Sequence, residues 1–234
     1  MGSKIKLQVR IFNPLQSEFR SQVLGVFFGL LAGIFISCGN GAETVTWQID
    51  SFEEIGGMPV VVSGAPRVLT AEDGKVVEFN GNNDGLLVRS NPVADWENFL
   101  IEVDIKPYPG FPENIEQRFL HIQDPENENR RILIELRLTE NNEWYGDWFV
   151  KTENESITLV DPTLTHPVNE WATISLKYED GVLTGLVNGE EQVQGKIKYL
   201  SAGPSAQTSV GTRMDQRSWF KGVIKEVRFI SLDK

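Results

Sequence analysis

The side chains best suited to acid–base chemistry lie on two predicted strands joined by a polar turn at residues 124–129. Pairing these strands across the turn places Arg118 opposite Glu135. The same register places Glu116 opposite Arg137, and opposite charges directly across an antiparallel pair are mildly stabilising. Carboxylate and imidazole groups are common proton donors and acceptors in catalysis. If the chain is an enzyme, its candidate catalytic residues are Glu135, His121, Arg118 and Arg137.

His121 is one of two histidines in the chain. In the register above, its side chain points to the face opposite Glu135, beside Ile132 and Ile134. That position favours a buried core histidine over a catalytic one. A shift of one residue in the register would reverse the assignment, because neighbouring side chains on a strand point to opposite faces.

An aromatic cluster occupies residues 144–148. Ligand pockets are lined by aromatic rings with a few well-placed polar groups, and sugars stack their C–H faces on such rings. Along a strand Trp144 and Trp148 share one face, while Tyr145 and Asp147 share the other. One pair is therefore expected in the core and the other on a ligand-facing surface. The predicted ligand is a carbohydrate, with candidate contacts from Trp144, Tyr145, Asp147 and Trp148.

The polar turn from Asn80 to Asp84 is a weak candidate for a calcium site. Ca²⁺ takes six to eight oxygen ligands, which Asn and Asp side chains supply. The same residue types also form ordinary turns, because their side chains bond to nearby backbone groups. Two histidines, with no cysteine beyond Cys38, leave no zinc constellation. No cofactor other than Ca²⁺ is suggested by the sequence.

Residues 1–37 have the composition of a signal peptide. The apolar run from Val23 to Ile36 is shorter than the roughly 20 residues of a membrane span. A basic region before an apolar run of this length is typical of a secretory signal. The basic residues are Lys4, Lys6, Arg10 and Arg20.

Cys38, the single cysteine of the chain, follows this run after one residue, Ser37. The segment Phe35-Ile36-Ser37-Cys38 resembles the lipobox of bacterial lipoproteins, with Phe35 where Leu is usual. The resemblance implies cleavage before Cys38, lipidation of its thiol, and residues 38–44 as a tether. An ordinary secretory signal and an uncleaved anchor are the alternatives. The protein is then expected to be exported and membrane-anchored, facing the periplasm or the cell surface.

The charge balance restricts the partners of the remaining chain. The full sequence has 22 Lys and Arg against 33 Asp and Glu. Residues 1–37 contain four of the basic residues and one acid, Glu18, so their removal leaves an excess of 14 acidic residues. So acidic a protein is unsuited to nucleic acid or to an anionic membrane surface. Membrane contact is therefore expected through the lipid anchor alone.

Residues 171–189 predict how the chain folds. Side chains alternate in polarity over Ala172 to Tyr178, which is typical of a half-buried strand. Asp180-Gly181 and Asn188-Gly189 are two-residue hairpin signals, since both positions of such turns need positive φ. The first turn sets the pairs Tyr178–Leu183, Leu176–Gly185 and Ile174–Val187.

The rest of the chain shows the same organisation, with many short alternating segments between turn signals and no long helical period. This pattern predicts an all-β domain over residues 45–234, built as a sandwich or barrel. A strongly alternating example is FLIEVDIKP at residues 99–107, with Ile101, Val103 and Ile105 facing inward.

Several segments together resemble the laminin-G-like branch of the concanavalin A-like lectin and glucanase superfamily. They are Glu78-Phe79-Asn80-Gly81 with the following GLLV at 85–88, FLIEVDIKP, the WATISL segment at 171–176, Val187 to Glu190, Ser209-Val210-Gly211 and WFKGVIKEVRF at 219–229. The resemblance implies a two-sheet antiparallel β-sandwich of the jelly-roll type whose first and last strands pair. It also implies that Trp171 and Phe220 are core anchors.

The same superfamily contains lectins, glycoside hydrolases and polysaccharide lyases. Its retaining hydrolases carry Glu-x-Asp-x-x-Glu on one strand; here Glu102 and Asp104 have part of that spacing without the third acid. Alginate-lyase-type motifs occur only as fragments in the wrong order. The sequence therefore favours a non-catalytic carbohydrate- or ligand-binding module. A polysaccharide-degrading enzyme and a structural module of a surface complex are the alternatives.

Overall fold

The computed structural model describes residues 42–233, and every regular element in this range is a β-strand. The predicted signal peptide, Cys38 and the first part of the tether lie outside the described residues. None of residues 42–233 forms a helix with the length and apolarity that a membrane crossing requires. The strands are β1 Thr44–Gln48, β2 Glu54–Ile55, β3 Met58–Ser63, β4 Arg67–Ala71, β5 Gly74–Asn80, β6 Gly85–Val88, β7 Phe99–Pro107, β8 Glu116–Asp124, β9 Asn127–Leu138, β10 Glu143–Thr152, β11 Glu155–Val160, β12 His166–Pro167, β13 Ala172–Glu179, β14 Val182–Val187, β15 Glu190–Lys196, β16 Gln207–Val210 and β17 Lys221–Ser231.

Within residues 42–233 the strands form two antiparallel sheets that enclose one core. The first sheet has the order β15-β14-β13-β7-β17-β5-β4, with β1 beside the second half of β17. The second sheet has the order β11-β10-β9-β8-β16-β6-β3-β2, with β12 beside β10. The predicted all-β, two-sheet antiparallel sandwich is confirmed.

The hairpin joining β13 and β14 follows the predicted turn chemistry. Asp180 and Gly181 have φ values of 50° and 83°, the left-handed region that a two-residue hairpin turn requires. Tyr178 then pairs with Leu183. The other predicted pairs, Leu176–Gly185 and Ile174–Val187, are also present.

The first and last strands pair as expected. Trp47 of β1 lies opposite Val227 of β17, and the Trp47 ring packs edge-on against Phe229 at 4.9 Å between ring centroids. Both rings are buried, so the two ends of the described chain are joined through the core. Such aromatic pairs add stability beyond the area they bury.

Trp148 spans the core between the sheets. Its side chain is 1% exposed and points inward from β10. A Cβ atom added at Gly185 of β14 would lie 2.3 Å from the Trp148 ring, and one at Gly146 of β10 would lie 2.2 Å from it. No real side chain fits at such distances, so both glycines make room for the indole.

Trp171 is not the core anchor that the resemblance implied. It is 45% exposed, whereas Phe220, the other predicted anchor, is fully buried. Ala172 pairs with Ile105 and shares its inward face, so the residue before it points to the outer face of the first sheet. The prediction for Trp171 was wrong because its own strand alternation places it outside.

Strand β8 contains a bulge that changes where His121 points. The register with β9 runs from Arg118–Glu135 directly to Leu120–Ile134, so Phe119 is an extra residue. Beyond the bulge, His121 pairs with Leu133 and shares the face of Glu135. The predicted placement of His121 beside Ile132 and Ile134 was therefore wrong, although the side chain is fully buried as expected.

Candidate functional site

The outer face of the second sheet contains a cleft, with a cavity of about 160 Å³, in which charged side chains converge. Strands β8, β9 and β10 form its floor, and the segment after β16 forms one wall. We call it the arginine cleft, and its charged residues are Arg118, Arg131, Glu135, Arg137, Asp147 and Arg213.

Arg118 and Glu135 form a largely buried ion pair in this cleft. They lie directly opposite on β8 and β9, as the sequence predicted, with Arg118 Nε donating to Glu135 Oε1 at 2.7 Å. Arg118 also donates to the Ser218 hydroxyl. The two side chains are 14% and 6% exposed, so both are held in fixed orientations with little contact with water.

Arg137 and Asp147 form a second pair one step along the sheet. Arg137 Nε donates to Asp147 Oδ2 at 2.7 Å, and the Asp147 side chain is 2% exposed. Glu116 opposes Arg137 as predicted and accepts from its Nη1 at 2.9 Å. Glu116 also lies 3.4 Å from Arg118, so this partly exposed carboxylate joins the two pairs at the rim.

Arg131 and Arg213 complete the cleft. Arg131 lies over the Phe149 ring at 5.3 Å, and its Nη1 donates to the backbone carbonyl of Glu128 at 2.9 Å. Its Nε is buried without a hydrogen-bond partner. Arg213 is 3.5 Å from Asp215, a half-exposed acid that also pairs with Arg217. Neither cation therefore contacts a carboxylate on the floor of the cleft.

Burial raises the pKa of Glu135 to about 7. The charge of Arg118 opposes this increase, and the nearby charge of Asp147 adds to it. Asp147 lies directly opposite Glu135 on β10. Two carboxyl groups thus lie side by side at the base of the cleft, and Glu135 changes its protonation near neutral pH.

His121 lies on the Glu135 face but beneath the segment that follows β16. Its Nδ1 accepts a hydrogen bond from the backbone N–H of Met214 at 2.9 Å. Burial, together with the charges of Arg213, Arg131 and Arg118, lowers its pKa to about 3. The imidazole is therefore neutral at ordinary pH and anchors the cleft wall.

The aromatic cluster divides between the two faces of β10, as its alternation predicted. Trp144 and Trp148 are 0% and 1% exposed, and Trp144 Nε1 donates to the Pro167 carbonyl at 3.0 Å. The prediction that these rings contact a ligand was therefore wrong, because no face of either ring is accessible. Tyr145 and Asp147 share the outer face with Glu135, and Tyr145 pairs with Arg137.

The Asn80–Asp84 turn uses its oxygens internally. Both carboxylate oxygens of Asp84 accept backbone N–H groups, from Ala65 at 2.8 Å and from Asn80 at 2.9 Å. The Asn80 side-chain oxygen accepts from the N–H groups of Asn82 and Asn83. Across residues 42–233, no three His, Cys, Asp or Glu side chains cluster as metal ligands would. The Asp84 carboxylate and the Asn80 amide oxygen thus hold the turn together, as the ordinary-turn interpretation expects.

Glu102 and Asp104, the acid pair considered for glycoside hydrolysis, serve another purpose. Both bind Arg228 of β17, Glu102 at 2.8 Å and Asp104 at 2.9 Å. They lie on the first sheet, away from the arginine cleft. The structure therefore links them to strand pairing.

Sequence reasoning missed Arg131, Phe149 and Arg213 as members of the cleft. Arg131 was within reach, because it shares the strand parity of Glu135 and Arg137 on β9. Phe149 shares the parity of Asp147 on β10. Arg213 had no local signal, since only the tertiary fold brings its segment to this face.

Comparison with solved structures places the fold among jelly-roll β-sandwich domains. Domain 4 of AbnA, a GH43 extracellular arabinanase from Geobacillus stearothermophilus in complex with arabinotriose, is 15% identical, with a TM-score of 0.60 over 82% of this chain and 93% of that chain. The binding domain of botulinum neurotoxin DC in complex with SialylT is 12% identical, with a TM-score of 0.58 over 81% and 48%. The native heptameric SAP-like pentraxin from Limulus polyphemus is 11% identical, with a TM-score of 0.51 over 63% and 71%.

At these identities the likeness concerns the fold. No protein-family model matches the chain, and neither does the sequence of any curated protein.

Proposed function

We propose that this protein is a carbohydrate-binding module that holds its ligand in the arginine cleft. The observation that carries the proposal is the pair of fixed ion pairs on one outer sheet face, Arg118–Glu135 and Arg137–Asp147, each closed at 2.7 Å. Arg137 is the partly exposed member of these pairs, at 33%, and Asp147 holds its planar guanidinium in place where the outer N–H groups can meet sugar hydroxyls. Preorganised polar groups bind well because little entropy is lost on association.

Aromatic surface beside the ion pairs supports the same proposal. Tyr145 lies opposite Arg137, and Phe149 lines the cleft next to Asp147. A ring next to planar polar groups matches the mixed surface of a sugar, with its apolar C–H face and polar edge. Two similar structures support the proposal: the arabinanase domain in complex with arabinotriose, and the botulinum neurotoxin DC binding domain in complex with SialylT, which is matched over 48% of its length.

The test is a panel of soluble polysaccharides measured for affinity to the full chain. Tyr145→Ala should weaken a bound glycan about tenfold, the effect of losing one stacked ring. Phe111→Ala is the matched control, since Phe111 is an exposed aromatic outside the cleft. Equal losses of affinity in both variants, or no loss in Tyr145→Ala, would mean that the glycan does not bind to this face.

Glycoside hydrolysis is the second candidate, favoured by one observation. Glu135 and Asp147 are directly opposed across β9 and β10, and the pKa of Glu135 is raised to about 7. Cross-strand neighbours of this kind have Cβ atoms about 5 Å apart, close to the carboxyl separation of retaining glycosidases. A carboxyl group with a raised pKa beside a second carboxyl group matches the pair that such enzymes use.

Measuring reducing ends over the same panel separates the two functions. The binding proposal predicts no product from wild type. Sugar release by wild type that is abolished in Glu135→Gln, with substrate still bound, would establish a polysaccharide-degrading enzyme instead.

We further propose that the module is laminin-G-like and is tethered to a bacterial membrane through lipid on Cys38. The support is the lipobox-like segment before Cys38 and the start of β1 at Thr44, shortly after it. Cys38→Ala should move the protein from the detergent fraction to the soluble fraction, or block its processing. Equal membrane retention of both forms would favour an uncleaved anchor.

A further inference from the structure

The cations of the arginine cleft outnumber its acids. Four guanidinium groups line the cavity against the carboxylates of Glu135 and Asp147. The rim acid Glu116 is shared by Arg118 and Arg137, which already hold these two carboxylates. The surplus positive charge therefore lies on Arg131 and Arg213.

The geometry of these two cations leaves donors available. The buried Nε of Arg131 has no acceptor in the structure. The nearest acid to Arg213 is Asp215 at 3.5 Å, and Asp215 pairs more closely with Arg217 at 2.8 Å. Burial lowers the pKa of Arg213, and the nearby charges of Arg217, Arg131 and Arg118 lower it further, against an opposing contribution from Asp215.

This concentration of cations runs against the composition of the chain. The formal net charge is −11, so a solvated surface would be expected to be acidic. Like charges held close together in a partly buried cleft repel one another, and an anion between them relieves that repulsion. Cations in excess in a cleft of a protein with the opposite net charge also concentrate ligands of complementary charge there.

We infer that the arginine cleft binds the carboxylate or sulfate group of an acidic glycan, with Arg131 and Arg213 as its principal cationic contacts. The inference rests on the proposed carbohydrate-binding function and names its ligand class. Guanidinium groups bind planar or tetrahedral oxyanions through paired N–H donors, which neutral hydroxyls use less strongly.

The size of the cavity agrees with this ligand. At about 160 Å³ it is smaller than the roughly 300–1,000 Å³ of pockets that enclose a whole drug-sized ligand. It fits one charged substituent and part of its sugar ring. Leu133 and Phe149 supply apolar contact for the ring carbons.

The site also predicts how binding responds to pH. The charged groups around Glu135 in the cleft are Arg118 of β8, Asp147 of β10, Arg131 and Arg137 of its own strand, and Arg213 of the segment after β16. Glu116 of β8 lies on the other side of Arg118, 3.4 Å from its guanidinium. When Glu135 takes up a proton, the negative charge nearest to Arg118 is removed. Anion binding should therefore strengthen as the pH falls from 8 to 6, since the pKa of Glu135 is about 7.

The experiment compares polysaccharides that differ only in charge, using the full chain in detergent. The probes are polygalacturonate with its methyl ester, and dextran sulfate with dextran. Wild type should bind the acidic member of at least one pair about tenfold more tightly than the neutral member, the typical gain from a charge-assisted hydrogen bond. That preference should decrease with added salt and increase from pH 8 to pH 6.

Arg131→Gln and Arg213→Gln should each abolish the preference for the acidic probe. Arg67→Gln is the matched control, because Arg67 is an exposed arginine on the first sheet. Since Arg213 lies outside the strands, its variant should keep the wild-type melting temperature even if Arg131→Gln is destabilised. Loss of the preference in Arg213→Gln but not in Arg67→Gln supports the inference.

Two results would overturn the inference, and they differ in what they leave standing. If wild type binds the neutral and acidic members of each pair equally, and Tyr145→Ala loses this binding, the ligand is a carbohydrate but not an acidic one. No binding of any polysaccharide in the panel would overturn both.

Discussion

The two outer faces of the sandwich each carry a cleft, and the larger one makes the weaker case for function. The first sheet has an open cavity of about 540 Å³ beside Trp171, which we call the Trp171 cleft; Asp73, Asp104, Thr173, Asn188 and Lys225 also line it. The arginine cleft is less than a third of that volume. Size alone would therefore select the Trp171 cleft.

The difference lies in what the polar groups already do. In the Trp171 cleft, Asp104 accepts from the Thr173 hydroxyl at 2.6 Å and from Arg228 at 2.9 Å. Asn188 accepts from the Thr173 N–H at 2.9 Å. These groups hold strands together. In the arginine cleft, a buried donor of Arg131 remains unpaired and two cations lack an acid on the cleft floor.

The largest expected contrast concerns the tryptophans behind and beside these clefts. Trp148 fills the core behind the arginine cleft, so Trp148→Ala should reduce the free energy of unfolding by about 3–5 kcal/mol. With a total stability of roughly 5–15 kcal/mol, the variant is at risk of unfolding. Urea unfolding at neutral pH measures the loss. A change below 1 kcal/mol would mean that the ring is not enclosed as described.

Glu135→Gln should produce a pH-dependent difference in stability. A carboxyl whose pKa is raised on folding binds its proton more tightly when folded, so its contribution to stability is full below pH 4.5 and is lost as the pH rises to about 7. The variant lacks this titration. Its unfolding free energy relative to wild type should therefore increase by about 3 kcal/mol between pH 4.5 and pH 8.

His121 also makes the stability of the protein depend on pH, so the unfolding free energies of wild type and Glu135→Gln must be subtracted from each other at each pH. Its pKa falls to about 3 on folding, so its contribution to stability appears as the pH rises from about 3 to 6.5. That trend opposes the one from Glu135 in wild type and cancels when the variant is subtracted. Parallel pH profiles of the two proteins would contradict the raised pKa of Glu135.

Trp171→Ala should have the smallest effect on stability. The side chain is 45% exposed on the outer face, and substitutions at such positions usually change the free energy of unfolding by no more than about 0.5 kcal/mol. Urea unfolding beside Trp148→Ala measures both in one experiment. A loss of stability close to that of Trp148→Ala would mean that Trp171 is buried in the core and that the Trp171 cleft is not as described.

Local patterns predicted much of the fold and part of the site. The Asp180-Gly181 turn determines the β13–β14 register through its positive φ values, and opposite charges correctly indicated Arg118 opposite Glu135. The alternation of side chains along β10 also predicted that Trp144 and Trp148 share one face and Tyr145 and Asp147 the other. It did not predict which of the two faces is the core.

The remaining features depend on information that no short segment contains. The bulge at Phe119 buries two consecutive side chains, Phe119 and Leu120, and moves His121 to the other face. A bulge of this kind is set by packing across the sandwich. Arg213 reaches the cleft only because the segment after β16 folds back over β8, a contact between residues far apart in sequence.

The most direct test measures the affinity of one confirmed glycan for wild type, Arg137→Gln and Trp171→Ala by calorimetry with the full chain. Arg137→Gln breaks the ion pair with Asp147 in the arginine cleft, whereas Trp171→Ala removes the exposed ring of the other face. We expect an affinity loss of about tenfold or more in Arg137→Gln, the typical result of losing one charge-assisted contact, and no change in Trp171→Ala. The reverse pattern would contradict the account and assign the ligand to the Trp171 cleft.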